Sequence, residues 1–261
     1  MDAFVSPCEQ VHAKLVARVL RLSLCRPERK NALTLAMYSA LAEALAHAGT
    51  NPEVRVVLLE GSESCFTSGN DLMDFMNEPE IHEQHPVVRF MRALQHSAKP
   101  VVASVCGPAV GIGTTLLLHC DLVYAAEDAR FQLPFVNLGL CPEYGASYLL
   151  PQILGQARAS ELLLLGEAFD GRRAESLGLV NAAMPEIDLH DYVEDRLTAL
   201  AAKPPAAVAR TRRLLRQGQA AMIEASIAAE FIGFAEGLGS EECKEAITAF
   251  FEKRAADFSR F

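Results

Sequence analysis

The chain of 261 residues has no apolar run of membrane-spanning length and fewer basic than acidic residues. A helix that crosses a bilayer needs about 20 consecutive apolar residues, so we expect no membrane partner. The 24 Lys and Arg stand against 33 Asp and Glu, and the net charge of -9 argues against a nucleic-acid-binding surface. The first residues include acidic side chains and no continuous apolar segment, unlike a secretory signal peptide. We therefore expect a cytoplasmic, globular protein.

Residue patterns typical of disulfides, metal sites and nucleotide loops are also missing. The seven cysteines are scattered and form no C-x-x-C pair, which indicates reduced thiols in a reducing compartment. The seven histidines show no ligand spacing, so no metal site is predicted. No G-x-G-x-x-G, Gly-Lys-Ser/Thr or G-x-S-x-G motif occurs. These absences argue against a nucleotide cofactor and against a serine-hydrolase site.

Short apolar segments alternate with helical patterns along most of the chain. Residues 13–25 alternate apolar and polar side chains, as expected of a strand or a hairpin arm. Residues 33–50 have helical spacing with strong helix formers, and residues 54–61 form a β-branched run closed by glycine. This alternation predicts βαβ units with right-handed crossovers, and therefore an α/β core.

The last 75 or so residues are almost wholly helical in pattern, with breaks at 203–205 and around 237–239. We expect a core over residues 1–200 and a helical region over 201–261. Proline lacks the N–H that an interior helical position donates, so a helix over 146–166 is predicted to be interrupted at Pro151.

Two glycine-containing segments are candidates for presenting backbone N–H groups to a ligand. They are F-T-S-G-N-D-L (66–72), after a strand, and G-P-A-V-G-I-G-T-T-L-L-L (107–118), which opens a helix. A helix N-terminus directs unpaired N–H groups and a positive dipole end toward an oxygen that becomes anionic. Glycines also allow a helix to pack closely on a strand. Spacing alone does not decide between these two interpretations.

Glu143 is a single acid within an apolar stretch, G-L-C-P-E-Y-G-A-S. Most single acids in loops are solvated surface residues. A carboxyl group held among apolar neighbours instead has a raised pKa and is able to take and return a proton near neutral pH.

Two other polar features have structural interpretations. His119 lies within an apolar helical segment, and we expect it to be a hydrogen-bonded core residue. The basic cluster at 209–217 is either a phosphate site or, as is more common, a solvated helix face.

Four motifs in order along nearly the whole chain resemble the enoyl-CoA hydratase/isomerase, or crotonase, superfamily. They are R-P-E-R-K-N-A-L-T, V-R-V-V-L-L-E-G-S-E-S-C-F-T-S-G-N-D-L, the long segment K-P-V-V-A-S-V-C-G-P-A-V-G-I-G through F-V-N-L-G-L, and G-R-R-A-E-S-L-G-L-V-N-A-A-M-P. The resemblance implies a spiral of ββα units with a helical C-terminal region that forms trimer contacts. It also implies an acyl-CoA thioester substrate, with no separate cofactor, and a trimer or a dimer of trimers.

Matching the motifs residue by residue implies roles for single positions. The backbone amides of Asn70 and Ile112 would hold the thioester oxygen. The two glutamates of family hydratases are replaced here by Thr115 and Phe135, while Glu143 stands where Δ3,Δ2-enoyl-CoA isomerases of the peroxisomal type carry their catalytic acid. Further substrate-binding positions implied by the resemblance are Arg29, Lys30, Ala32, Ser68, Gly69, Asp71, Leu72 and Gly111, together with Thr115 and Phe135.

The resemblance therefore predicts a Δ3,Δ2-enoyl-CoA isomerase of fatty acid β-oxidation with Glu143 as its one acid/base. A hydratase, a dienoyl isomerase or another crotonase reaction is the alternative enzyme, and a non-catalytic acyl-CoA-binding protein is the alternative from another class. Arg29 and Lys30 are interpreted either as contacts to the CoA phosphates or as solvated loop charges. Residues 72–95 are expected to line the acyl tunnel.

Overall fold

A computed structural model describes residues 4–62, 65–71, 73–74 and 82–261. Its main sheet has six strands in the order β1-β2-β3-β4-β6-β9, and a smaller sheet has the order β5-β7-β8. The strands are β1 (Val11–Val16), β2 (Val19–Leu24), β3 (Val56–Glu60), β4 (Val101–Val105), β5 (Pro108–Val110), β6 (Leu122–Ala126), β7 (Arg130–Gln132), β8 (Phe169–Asp170) and β9 (Ala182–Met184).

The main sheet is parallel except at its first edge. β1 and β2 form an antiparallel hairpin, and β2, β3, β4, β6 and β9 then pair in parallel. Val56 through Leu59 on β3 are all buried, as expected of a parallel strand covered on both faces. The predicted hairpin arm and the buried strand at 54–61 are therefore confirmed, and so is the α/β core.

Ten helices have both ends within the described part of the chain. They are α1 (Leu35–Thr50), α2 (Pro86–Gln95), α3 (Ile112–Thr115), α4 (Ala146–Leu154), α5 (Gln156–Leu165), α6 (Gly171–Ser176), α7 (Glu186–Ala201), α8 (Pro205–Gln217), α9 (Ala220–Leu238) and α10 (Glu241–Glu252). Single-turn 3-10 segments occupy Pro27–Arg29, Leu116–His119 and Val136–Leu138. α3 is only four residues long, because the predicted helix after Gly111 tightens into a 3-10 turn at Leu116.

The predicted interruption at Pro151 is wrong. α4 continues through Pro151, and the break lies four residues later at Gly155, whose φ of +80° is a left-handed value that favours glycine. Leu149, Leu150 and Leu154 of α4 are buried, so packing on the core offsets the hydrogen bond that the proline removes.

The basic cluster at 209–217 is not wholly a solvated face. Arg212 and Arg216 turn toward the core and both pair with Asp121, at N–O distances of 2.7 and 2.9 Å. Arg216 also donates to the carbonyl of His119 at 2.7 Å. These side chains attach α8 to the loop before β6. Within the described residues, every helix is too short or too polar to cross a bilayer.

Candidate active site

The two glycine-containing segments lie side by side. Thr67 and Ala109 form a parallel bridge, with the Thr67 N–H donating to the Pro108 carbonyl at 2.9 Å and the Val110 N–H donating to the Thr67 carbonyl at 3.1 Å. Further along, Gly69 packs against the Val110 carbonyl and Gly113 packs against Thr67, so the segments that carry Asn70 and Ile112 adjoin each other. The bridge thus brings together two segments whose paired residues are 42 positions apart.

The N–H groups beside these two amides are occupied. Asp71 donates to the Leu33 carbonyl at 2.9 Å, and Gly111 donates to the Gln132 carbonyl at 2.9 Å. Within the described part of the chain, no group accepts a hydrogen bond from the backbone N–H of Asn70 or of Ile112. Two N–H donors on adjoining segments are therefore available to an oxygen of a ligand.

Glycine is required for this close approach at two positions. Gly69 has a φ of +98°, and a Cβ built there would lie 2.8 Å from the Val110 carbonyl oxygen. A Cβ at Gly113 would lie 2.6 Å from Cγ2 of Thr67. The packing and ligand interpretations of these glycines therefore do not exclude each other, because the tight packing holds the two segments with unpaired N–H groups against each other.

Glu143 reaches the same place from the loop before α4. Its Oε1 accepts a hydrogen bond from the Thr115 hydroxyl at 2.7 Å, and Thr115 lies on α3 one turn after Ile112. Burial raises the pKa of the Glu143 carboxyl to about 7, although the bond from Thr115 favours the ionised form; the charge of Glu230 adds to the rise. Glu143 as a whole residue is half-buried, and its raised pKa agrees with the prediction made from its apolar neighbours.

The backbone turn after Glu143 is unusual and firmly held. Tyr144 has a φ of +60° and Gly145 a φ of +77°, so two successive residues adopt left-handed values. His119 is buried, stacks on the Tyr144 ring at 3.7 Å and bonds the Tyr144 carbonyl through Nε2 at 2.7 Å. The Tyr144 hydroxyl donates to the Met91 carbonyl at 2.6 Å. The prediction that His119 is a hydrogen-bonded core residue is thus confirmed.

Tyr38 is a neighbour of the site that the sequence did not reveal. It is fully buried on α1, where its spacing is that of an ordinary core residue. Its hydroxyl donates to the side-chain oxygen of Asn70. Burial, and after it the charge of Glu143, raises the pKa of Tyr38 well above its usual value, so the phenol stays neutral. Tyr38 therefore connects the Asn70 segment with the surroundings of the Glu143 carboxyl.

The other predicted site residues are distributed around this centre. Arg29 and Lys30 are exposed, and the backbone carbonyl of Lys30 accepts from the Ser68 N–H at 2.9 Å. The Asp71 carboxylate pairs with Arg26 at 2.6 Å, which gives it a structural partner.

The remaining predicted site residues are apolar or small. Phe135 is buried, and its carbonyl accepts a hydrogen bond from the N–H of Leu140, three residues before Glu143. Ala32 and Gly111 are partly exposed beside the two amide segments. Leu72 and part of the expected tunnel segment 72–95 lie outside the described residues.

No group of three His, Cys, Asp or Glu side chains in the described residues is arranged to hold a metal ion. The centre instead consists of one carboxyl group of raised pKa, a hydroxyl that hydrogen-bonds to it, and two adjacent backbone N–H donors. Such a centre is suited to moving a proton next to a carbonyl whose oxygen gains negative charge.

The chain belongs to the enoyl-CoA hydratase/isomerase family, whose model matches residues 15–260. It is 35% identical to enoyl-CoA delta isomerase 2 of Rattus norvegicus over 90% of its own length, and it spans 62% of that longer protein. It is 33% identical to 2,3-dehydroadipyl-CoA hydratase of Escherichia coli, covering 92% of this chain and 95% of the relative. Isomerases and hydratases are therefore about equally similar to it.

Solved structures support the same family. The structure superposes on Pseudomonas aeruginosa OdaA with a TM-score of 0.91 at 46% identity, covering 93% of this chain and 99% of that one. An enoyl-CoA hydratase/isomerase of Pseudoalteromonas atlantica gives a TM-score of 0.91 at 41% identity, covering 96% and 100%. The predicted crotonase fold is confirmed, and the chain is a member of the crotonase superfamily of enoyl-CoA hydratases and isomerases.

Proposed function

We propose that this protein is a Δ3,Δ2-enoyl-CoA isomerase in which Glu143 alone carries the proton. The observation that supports the proposal is the 2.7 Å hydrogen bond from Thr115 to Glu143. Thr115 and Phe135 take the two positions at which the family resemblance expects hydratase glutamates, so the centre keeps one acid. Isomerisation needs one proton carrier and no water, whereas hydration must position and deprotonate a water molecule.

The proposed reaction uses Glu143 twice. The ionised carboxylate takes a proton from C2, the C2–H electrons delocalise into a dienolate, and negative charge collects on the thioester oxygen. The protonated carboxyl then delivers that proton to C4, which leaves the double bond between C2 and C3. A pKa of about 7 suits both steps, because neither protonation state of Glu143 is strongly favoured near neutral pH.

In this proposal the N–H groups of Asn70 and Ile112 bind the thioester oxygen. Both N–H groups belong to backbone that is held in place by the pairing of the two segments. They therefore stabilise the dienolate more than the neutral thioester, and binding the charged oxygen requires little reorganisation of the protein. Arg29 and Lys30 stay proposed contacts to the CoA phosphates. Both are exposed, and no acidic side chain in the described residues forms a salt bridge with either. The cytoplasmic location and a role in fatty acid β-oxidation likewise stay predictions.

A substrate panel tests the reaction. Purified protein is assayed with 3-enoyl-, 2-enoyl- and 2,4-dienoyl-CoA, alone and after Glu143→Gln. We expect the wild type to convert 3-enoyl-CoA faster than it hydrates 2-enoyl-CoA. Glu143→Gln keeps the size and the hydrogen bond but removes the base, so isomerisation should fall by at least ~10²–10⁴.

Binding of an unreactive acyl-CoA, measured by calorimetry, serves as the control and should survive the Glu143→Gln change. Hydration faster than isomerisation would favour the reaction of the Escherichia coli relative instead. Tight binding with no turnover of any of the three substrates by the wild type would identify a non-catalytic acyl-CoA-binding protein.

A further inference from the structure

Glu230 is a buried acid on α9 that holds the backbone directly after Glu143. The residue is 7% exposed. Its Oε2 accepts from the Gly145 N–H at 2.6 Å, and its Oε1 accepts from the Ser147 N–H at 2.8 Å. Both oxygens of one carboxylate are thus bound to a backbone turn that lies more than 80 positions earlier in the chain.

This contact replaces a missing helix cap. The first N–H groups of α4 have no partner within the helix, and such groups are commonly capped by the side chain at the N-cap position. Here the N-cap is Gly145, which has no side chain. Glu230 supplies the acceptor from another helix, and a negative charge at a helix N-terminus is favourable. α9 also packs on the turn, since a Cβ at Gly145 would lie 3.4 Å from Ile223.

The turn needs such support because its conformation is uncommon. A left-handed φ at Tyr144, a residue with a bulky side chain, costs energy, and it persists when the surrounding structure imposes it. His119 holds the carbonyl of Tyr144, and Glu230 holds the N–H of the next residue. The backbone that follows Glu143 is therefore fastened by two side chains from different elements.

We propose that Glu230 is a positioning residue for proton transfer by Glu143: through two backbone N–H groups it holds the turn that aims the Glu143 carboxyl, and it places a second negative charge beside it. The inference rests on the proposed function of Glu143. Glu230 does not contact the substrate in this proposal; it acts through the geometry and electrostatics of Glu143.

Several ionisable groups face the Glu143 carboxyl. Tyr38 lies on α1, and Cys141 and Tyr144 lie on the same loop as Glu143; burial raises the pKa of all three, which keeps them neutral near pH 7. His119, behind Tyr144, has its pKa lowered to about 4 by burial and is neutral as well. The charge of Glu230, on α9, raises the pKa of Glu143 after the larger effect of burial, and Glu236 on the same helix acts on Cys141 but not on Glu143.

Glu230→Gln separates this role from simple packing. Glutamine has nearly the same shape but one accepting oxygen and no charge, so it releases one of the two N–H groups. We expect kcat for 3-enoyl-CoA to fall about tenfold with little change in KM. Loss of the negative neighbour makes Glu143 easier to ionise, so the acid limb of the kcat/KM profile should move to lower pH.

Two further variants serve as controls. Glu236→Gln removes the same charge from an exposed position on α9 and should leave both rate and pH profile unchanged. Glu230→Asp keeps the charge but shortens the reach, so kcat should fall while the acid limb stays near that of the wild type. If Glu230→Gln does not fold, the comparison of Glu230→Asp with the wild type still decides whether the reach of this carboxylate matters for kcat.

Titration of Glu143 gives a readout that does not need turnover. Carboxyl ¹³C NMR of protein labelled at glutamate, with the Glu143 signal assigned by its loss in Glu143→Gln, should show a lower pKa in Glu230→Gln. An unchanged titration together with an unchanged kcat in a folded Glu230→Gln variant would overturn the inference. If the wild type isomerises no 3-enoyl-CoA, the proposed function fails, and the titration still tests whether Glu230 acts on Glu143.

Discussion

Two contributions to the pKa of the Glu143 carboxyl group oppose each other. Burial disfavours the anion, while the Thr115 hydroxyl stabilises it through a 2.7 Å hydrogen bond. The resulting pKa of about 7 is a balance, so a change to either contribution should move it in a known direction. A group that titrates near the working pH transfers protons in both directions most readily.

Thr115→Val tests this balance at the scale of one residue. Valine fills the same space but donates no hydrogen bond, so the anion of Glu143 loses support and its pKa should rise above about 7. The acid limb of the kcat/KM profile for 3-enoyl-CoA should therefore move to higher pH, with a greater loss of activity at pH 6 than at pH 9. Thr115→Ser, which keeps the hydroxyl, is the matched control. A limb that stays in place in Thr115→Val would show that the hydroxyl does not tune Glu143.

At the scale of elements, the site depends on how closely α3 approaches the segment 65–70. Thr67 cannot move aside easily: its hydroxyl donates to the Asn31 carbonyl at 2.7 Å and accepts from the Gly69 N–H at 3.1 Å. The Cγ2 of Thr67 lies where a side chain on Gly113 would begin. The approach of α3 to the segment 65–70 is thus set by a contact that has no room for one methyl group.

Gly113→Ala should therefore impair both stability and catalysis. We expect a loss of about 1–3 kcal/mol in the free energy of unfolding, as is usual for overpacking, and a lower kcat because the two amides move apart. Denaturant melts and steady-state kinetics measure the two effects. Gly218→Ala is the control, since a Cβ there meets nothing within 4 Å. Equal kcat in the two variants would mean that the amide separation is not critical.

The same scale shows where prediction from local pattern fails. Proline lacks an N–H, which favours a break at Pro151, but the buried leucines of α4 keep the helix intact until Gly155. The basic cluster at 209–217 has a solvated-face pattern, yet Arg212 and Arg216 reach the carboxylate of Asp121 about 90 positions away. In both cases a tertiary contact outweighs the local preference.

At the scale of the whole molecule, the C-terminal helices leave large apolar side chains uncovered. Phe231 and Ile232 on α9 are 41% and 62% exposed, and Phe250 and Phe251 on α10 are 61% and 50% exposed. Apolar residues grouped in this way are typical of a protein–protein interface. They support the prediction, made from the family resemblance, that the chain forms a trimer or a dimer of trimers.

Light scattering tests this prediction. We expect the mass of three or six chains at micromolar concentration, and dissociation or loss of stability after Phe250→Ser with Phe251→Ser. Ile187→Ser removes an apolar side chain that is 85% exposed on α7 and should leave the mass unchanged. A monomeric wild type would contradict the prediction and would leave these phenylalanines without a role in trimer formation.

The sequence by itself determined the order of the elements, the α/β class, the two glycine segments and the apolar surroundings of Glu143. These features are local: a strand alternates every second residue, a helix repeats every 3.6, and the residues next to an acid in the chain largely form its environment. The ordered motifs then indicated the family, because each occupies a short stretch that can be read without knowing the fold.

Only the tertiary structure decided which residues meet. The bridge between Thr67 and Ala109 sets the segment that carries Asn70 beside the segment that carries Ile112, the Tyr38 hydroxyl reaches the Asn70 side chain, and the Glu230 carboxylate caps the turn that follows Glu143. Glu230 is also an acid within an apolar stretch, a signal that could have drawn attention to it, but the local pattern does not identify its partner. Contacts between residues 30 to 85 positions apart follow no period along the chain, because they depend on how the sheet and the helices close around one another.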